Sequence, residues 1–150
     1  MKKYGFLLLS VVTVCGVMLS LAIFSEQNAE QSNEVSGVIA TKIYETLSLA
    51  GIHTNIELVH WGTRKAAHFT LFMLLGMGLS GIVQCRLRKR WHIVPVVLGL
   101  SILIAAADEL HQYFSFDRYA SLRDVLLDSV GALCGIMIIM LGHMWGKKIT

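Results

Sequence analysis

The chain has 150 residues, of which 55% are hydrophobic and 15% are charged, and its formal net charge is +3. A mean hydropathy of +0.62 is too high for an ordinary soluble domain of this length. This composition argues against a soluble globular protein and indicates an integral membrane protein.

Four apolar segments stand out along the chain, at residues 4–24, 66–84, 93–110 and 125–145. Each is close to the ~20 residues that a helix needs to cross about 30 Å of hydrocarbon. Their runs of Leu, Ile, Val, Met and Gly do not alternate strictly, as the strands of a membrane barrel would. The sequence therefore predicts an all-α integral membrane protein, with a single domain over residues 1–150 and four transmembrane helices. We expect the first of them to remain as an anchor, because its apolar core is longer than the roughly 7 to 15 residues of a secretory signal.

The predicted outer loop, residues 25–65, contains an amphipathic pattern. Val38, Ile39, Ile43 and Leu47 recur at helical spacing. This spacing predicts an amphipathic helix on the outer surface, between the first and second transmembrane helices. The pattern leaves open whether lipid or the helix bundle covers the apolar face.

Acidic residues lie beside the last two apolar segments. The uninterrupted apolar run of the third segment is residues 93–107, so Asp108 and Glu109 should lie at or just below the membrane interface. Asp124 and Asp128 occupy the first turns of the fourth helix, where the helix dipole favours negative charge. An ionisable side chain at the centre of a spanning helix costs roughly 2.5 to 3.5 kcal/mol, so such residues tend to be paired, hydrated or functional.

The fourth helix also has a face of small residues. At ~100° per residue, one face carries Asp124, Asp128, Gly131, Gly135 and Gly142, and we expect this face to lie against protein. Two glycines four residues apart let another helix approach closely. We predict that Gly131 and Gly135 serve helix packing within the chain in preference to homodimerisation, although the sequence does not give the oligomeric state.

Helical geometry brings polar residues of three helices to one depth. Lys65 and His68 lie at the outer end of the second helix. On the third helix, Gln112 is one turn from both Asp108 and Glu109. The predicted polar pocket consists of Lys65, His68, Asp108, Glu109, Gln112, Arg118, Arg123, Asp124 and Asp128. Its mixture of both charges with a titratable histidine suits a zwitterionic or anionic headgroup.

The same residues admit other interpretations. Polar pairs could serve only to fix the register of the helices, at about 0.6 kcal/mol each. A metal site would draw on His68 and the carboxylates, but Glu109-Leu-His111 does not have the two-histidine spacing of a zinc-protease helix, so no metal is predicted. A proton relay would need a route through the membrane, whereas the charges occupy one end. The sequence has no Gly-rich phosphate loop and no redox cysteine pair, and it predicts no cofactor.

The distribution of basic residues predicts the orientation. With a cytoplasmic N-terminus, the inner side carries no acidic residue and the basic residues Lys2, Lys3, Arg86, Arg88, Lys89, Arg90, Lys147 and Lys148. By the positive-inside rule, both termini are predicted to be cytoplasmic and the polar pocket to face outward. The net positive charge reflects this sidedness, so no nucleic-acid partner is expected.

The polar residues also form an ordered motif. It runs Arg64-Lys65-x-x-His68-Phe69, Asp108-Glu109-x-x-Gln112-x-Phe114, Arg118, Ser121, and Asp124-x-x-x-Asp128-x-x-Gly131. Over residues 64–135 this motif resembles the VanZ-like family of small bacterial membrane proteins. Two positions depart from the family pattern. Phe116-Asp117 stands where the family often has Pro-Gly, and Asp128 stands where it often has Asn, which adds a negative charge.

The resemblance implies a multi-pass protein of the bacterial cytoplasmic membrane, in a family whose founding member is associated with resistance to the glycopeptide teicoplanin. Glycopeptides act on lipid-linked wall precursors, on the side that the predicted pocket faces. We therefore expect membrane lipids as partners, and a pocket that binds an envelope lipid or wall-precursor headgroup and affects teicoplanin susceptibility. The alternative is a non-catalytic scaffold whose polar residues only stabilise the bundle. An enzymatic version would use His68 or a carboxylate as general base, and the sequence does not decide whether a reaction is catalysed.

Overall fold

The protein is a bundle of long helices. A computed structural model describes residues 2–25, 29–85, 87, 92–115 and 121–146. Within these ranges the chain forms five α-helices and no β-strand. The helices are α1 (Lys2–Ser25), α2 (Ala29–Leu49), α3 (Ile56–Gln84), α4 (Ile93–Ser115) and α5 (Leu122–Gly146). Because α1, α3, α4 and α5 are long and apolar enough to cross a membrane, the predicted all-α class with four transmembrane helices is confirmed.

Helix α3 is longer than the apolar segment that predicted it. It begins at Ile56, well before residue 66, within the stretch expected to be an outer loop. Asn55 caps it: the backbone of Asn55 is extended, and its side-chain oxygen accepts a hydrogen bond from the amide of Glu57 at 2.9 Å. This cap satisfies one of the free amides of the first turn. As a result, α3 carries its polar first turns and its apolar core on one continuous helix.

Helix α2 is the predicted helix between the first and second transmembrane helices, and it lies against α3. Ala40 is fully buried, and the ring of His60 on α3 lies 3.5 Å from the position that a Cβ would take on Gly37. Val38 and Ile39 are 65% and 57% exposed. The small residues of α2 therefore face the bundle, whereas these large apolar side chains are not covered by described parts of the protein.

Helices α3 and α5 are in direct backbone contact. A Cβ added to Gly131 would lie 2.5 Å from the carbonyl oxygen of Phe69, and one added to Gly135 would overlap the carbonyl oxygen of Met73. On the opposite helix, a Cβ on Gly76 would overlap the carbonyl of Ala132. Glycines from both helices therefore allow this approach, because a side chain at any of these positions would force the two backbones apart.

The remaining spanning helices pack around α3. A Cβ on Gly78 would lie 2.7 Å from the side chain of Val14, so α1 also approaches α3 closely. The buried cluster that joins α1, α3 and α4 consists of Val17, Leu21, Phe72, Leu75 and Ala105. A second buried cluster, near the other end of α4, consists of Ile93, Val97 and Ile136. These contacts fix the positions of α4 and α5 relative to α3, and with them the polar residues at one end.

The replacement Gly135→Ala should destabilise the bundle, because the new Cβ would overlap the backbone of Met73. Overpacking of this kind costs about 1–3 kcal/mol. Gly142→Ala is the matched control. Contrary to the expectation for its face of the helix, no atom of the described residues lies within 4 Å of a Cβ there. Alanine is also better than glycine within a helix by roughly 0.5–1 kcal/mol. The midpoint of thermal unfolding in detergent measures both variants. Equal midpoints for the two would contradict the close contact of α3 with α5.

Candidate functional site

Polar residues converge at the end of the bundle where α4 ends and α5 begins. We define the polar cluster as the described residues Lys65, His68, Asp108, Glu109, Gln112, Asp124 and Asp128. They come from α3, α4 and α5, and glycine contacts join α3 to α5. The structure thus brings together, at one end, most of the residues that the sequence placed in one pocket.

An ion pair joins α3 to α5 in the polar cluster. The Lys65 ammonium donates a hydrogen bond to Oδ2 of Asp124. The two side chains are only 17% and 29% exposed. Water and salt screen such a partly buried pair less than a pair on an open surface. This contact therefore contributes to the alignment of α3 with α5.

One turn further along both helices, His68 faces Asp128. The Nδ1 atom of His68 lies 3.9 Å from Oδ2 of Asp128, and this distance is too long for a hydrogen bond. The two groups form an ion pair only when the ring is protonated. The side chain of Asp128 is 6% exposed. Its Oδ1 atom is buried and has no hydrogen-bond partner within the described ranges. A buried carboxylate oxygen in this state is unusual, because burial without a partner is energetically costly.

Helix α4 contributes two side chains with defined hydrogen bonds. The Gln112 amide donates to Oδ2 of Asp108 at 2.7 Å, one turn apart on the same helix. Glu109 reaches further, because its Oε1 accepts a hydrogen bond from the backbone amide of Ser121 at 2.6 Å. Ser121 directly precedes α5, and its carbonyl accepts from the amide of Asp124 at 2.9 Å. Glu109 therefore fixes the start of α5, where a negative charge is favoured.

The described polar cluster has more negative than positive groups. Asp108, Asp124, Glu109 and Lys65 all lie close enough to Asp128 to act on it electrostatically. Lys65 gives the defined cluster one positive charge, whereas four of its members are carboxylates: Asp108, Glu109, Asp124 and Asp128. His68 adds positive charge only when it is protonated. The arrangement can therefore attract an amine, a cation or a proton. Among the residues described, no group of three or more His, Cys, Asp or Glu side chains is arranged to hold a metal ion.

Two arginines of the predicted pocket are not part of the polar cluster. Arg118 lies outside the described residues, together with Asp117. Arg123 lies in the first turn of α5, and its side chain is exposed. Ser121 belongs to the sequence motif but not to the predicted pocket, because its contribution comes from a backbone amide. A serine directly before the first turn of a helix is a further pattern that indicates this position.

A groove between α1 and α4 opens beside Asp108. It has a volume of about 300 Å³. Its lining consists of Met18, Leu21, Ala22, Ile104, Ala107, Asp108 and His111. The walls are thus apolar, and the polar lining residues are neighbours near the end of α4. The sequence did not reveal this groove, because nothing in an apolar α1 indicates which face lies against Asp108.

Helices that could span a membrane four times, with ionisable residues gathered at one end, define a multi-pass helical membrane protein. The chain belongs to the VanZ/LLP1 family, whose family model matches residues 7–143. The match covers α1 and α2 as well as the motif that carried the resemblance, so the predicted VanZ-like membership is confirmed. No curated protein and no solved structure matches the chain.

The ion pair between Lys65 and Asp124 should be measurable by a double-mutant cycle with Lys65→Gln and Asp124→Asn. We expect a coupling free energy on the order of 1 kcal/mol, because the pair is partly buried and joins two helices at the end of a membrane bundle. Thermal or denaturant unfolding in detergent gives the four stabilities. A matched cycle with Lys65→Gln and Glu45→Gln, an exposed acidic residue on α2, should give no coupling. Additive effects in both cycles would contradict the pairing.

Proposed function

We propose that the protein binds an amphiphilic lipid of the cell envelope, or a lipid-linked wall precursor, with its headgroup at the polar cluster. The observation that carries this proposal is the groove between α1 and α4. Apolar walls such as Leu21 and Ile104 suit a hydrocarbon chain, and Asp108 and His111 are the polar groups that a headgroup would meet. Sites for small ligands commonly combine mostly apolar walls with a few polar groups that fix orientation.

The charges of the polar cluster indicate how a headgroup would be held. An amine would be attracted by the carboxylates around Asp128, of which Asp108 also lines the groove. A phosphate would be attracted by Lys65 and by protonated His68. In this proposal further positive charge comes from Arg118, between α4 and α5 in the sequence, and from Arg123 in the first turn of α5. A headgroup that carries both a positive and a negative charge would bind to the carboxylates and to the cationic groups at once.

The proposal includes an orientation. With both termini in the cytoplasm of a bacterium, the basic residues near each terminus face the inner leaflet. The polar cluster lies at the end of the bundle away from the N-terminus of α1. In this orientation it faces outward, where envelope lipids and wall precursors are exposed. Binding there would affect access of glycopeptides such as teicoplanin to the precursor, which is the effect that we propose for susceptibility.

The orientation predicts the behaviour of reporter fusions. A fluorescent reporter that folds only in the cytoplasm should be bright when fused after residue 150, whereas a phosphatase that is active only outside should be inactive there. The same two reporters inserted at the turn that contains Gly51 should give the reverse result. Reversed activities at both positions would contradict the orientation and would place the polar cluster on the cytoplasmic side.

Binding to the polar cluster should depend on Asp108. Asp108→Asn keeps the shape of the side chain and removes its charge, so it should weaken binding of a lipid-linked wall precursor roughly tenfold. Native mass spectrometry of the full chain in detergent gives the bound fraction, with an acyl-chain-matched phosphatidylglycerol as competitor. Glu45→Gln, which removes one exposed carboxylate from α2, is the matched control and should bind as wild type does.

Susceptibility of cells supplies the second measurement for the same variants. A Gram-positive host that expresses wild type or Glu45→Gln should tolerate more teicoplanin than the empty vector, with a smaller change for vancomycin. Asp108→Asn and Asp124→Asn should lose this effect at matched membrane abundance. Equal susceptibility of all strains would contradict the glycopeptide part of the proposal, and equal lipid binding by all variants would contradict the site itself.

A non-catalytic scaffold is the second candidate function. The contact that favours it is the hydrogen bond from the Ser121 amide to Glu109, which joins α4 to α5 as the ion pair of Lys65 joins α3 to α5. A scaffold would lose folded abundance when these contacts are removed. A binding site would keep folded abundance in the Asp108→Asn protein and lose the ligand, so the amount of monodisperse protein separates the two functions.

A further inference from the structure

A second cavity lies along the first turns of α3, outside the polar cluster. It has a volume of about 270 Å³ and is lined by Glu57, His60, Trp61 and Arg64. These residues are three, four and seven positions from the first of them, so they share one face of the helix. None of them belongs to the polar cluster, the groove beside Asp108 or the motif residues assigned to the predicted pocket. The cavity therefore combines a carboxylate, an imidazole, a guanidinium and an indole in one small space.

The two charged groups of this cavity are available to a ligand. Glu57 and Arg64 are two turns apart on α3, or roughly 10 Å along the axis, which is too far for direct pairing. Within the described part of the chain neither side chain forms an ion pair or a side-chain hydrogen bond. Trp61 lies between them along the helix and is 56% exposed. The cavity thus presents an exposed carboxylate and an exposed indole, together with a partly exposed guanidinium one turn further along the helix.

His60 forms part of the wall of the same cavity. Its ring lies against α2, with Cε1 at 3.5 Å from the position of a Cβ on Gly37. Its Nδ1 atom is buried and has no hydrogen-bond partner in the described chain. Because Nδ1 is closed to solvent, a ligand in the cavity would meet the rest of the His60 ring.

We propose that this cavity binds a phosphate–ammonium zwitterion of the kind found in phosphatidylethanolamine and phosphatidylcholine headgroups. Arg64 and His60 would hold the phosphate, because guanidinium and imidazole groups donate hydrogen bonds to phosphate oxygens. Trp61 and Glu57 would hold the ammonium, by a cation–π contact and by charge. Residues one turn apart have Cβ atoms about 5–6 Å from each other, which suits a phosphate and an amine joined by two carbons.

The size and position of the cavity favour a headgroup over a whole lipid. Its volume of about 270 Å³ is at the lower end of that of small-molecule sites. Tryptophan is enriched where a spanning helix meets the membrane interface, and Trp61 lies ahead of the long apolar run of α3. The acyl chains of a bound lipid would thus remain in the bilayer. This site does not depend on the function proposed for the polar cluster, since the two share no residue.

Lipid binding by defined variants tests the proposal. The full chain in detergent is titrated with phosphatidylethanolamine, phosphatidylcholine and phosphatidylglycerol of identical acyl chains, and bound lipid is measured by native mass spectrometry. Wild type should prefer the two zwitterionic lipids. Arg64→Gln and Trp61→Leu should each weaken that binding about tenfold, and Glu57→Gln should weaken it less. Lys42→Gln, which removes one exposed positive charge from α2, is the matched control and should bind as wild type does.

Soluble phosphoethanolamine and phosphocholine form a second arm that separates the two sources of this chemistry. Displacement of bound lipid by either soluble compound at similar concentration supports a free zwitterion as occupant, whereas displacement by lipid alone supports a lipid headgroup.

Equal binding of phosphatidylglycerol, or wild-type binding by both Arg64→Gln and Trp61→Leu, would overturn the proposal. The Glu57 side chain forms no hydrogen bond or ion pair within the described residues, so Glu57→Gln should fold and keeps the test available if Trp61→Leu does not fold. Unchanged binding by Asp108→Asn would distinguish this site from the polar cluster.

Discussion

The backbone contact between α3 and α5 is the constraint on which the polar end of this protein depends. Gly131 and Gly135 on one helix, and Gly76 on the other, let the two backbones meet without intervening side chains. This distance is what allows Lys65 to reach Asp124 across the interface. Larger residues in these positions would separate the helices and leave charged groups unpaired at the end of a membrane bundle, where an isolated charge is costly.

Helix α4 completes the site in a different way. It is joined to the start of α5 by the Glu109 side chain, and its own Asp108 faces the groove against α1. The protein thus gathers its ionisable residues with a few directed contacts, and Oδ1 of Asp128 has no hydrogen-bond partner among the described residues. Burial of such an atom without a partner lowers stability.

The sequence predicted those features that depend on periodicity within a single helix. Apolar length gave the four spanning helices, and helical spacing put Gln112 one turn from Asp108, where the two now form a hydrogen bond. The start of α3 was missed, because Asn55 caps the helix inside a polar stretch that hydropathy assigns to a loop. The groove beside α1 was missed as well. Rotation of an apolar helix about its axis depends on packing contacts that no local pattern records.

The hydrogen bond from the Ser121 amide to Glu109 ties the order of a helix end to the position of one carboxylate. Any cationic group that drew Glu109 away would leave that amide without its acceptor and would loosen the first turn of α5. By thermodynamic reciprocity, whatever stabilises that turn would oppose the release of Glu109. The start of α5 would then respond to the charge of the occupant, so that amines and phosphates would have opposite effects on amide exchange at Ser121 and Asp124.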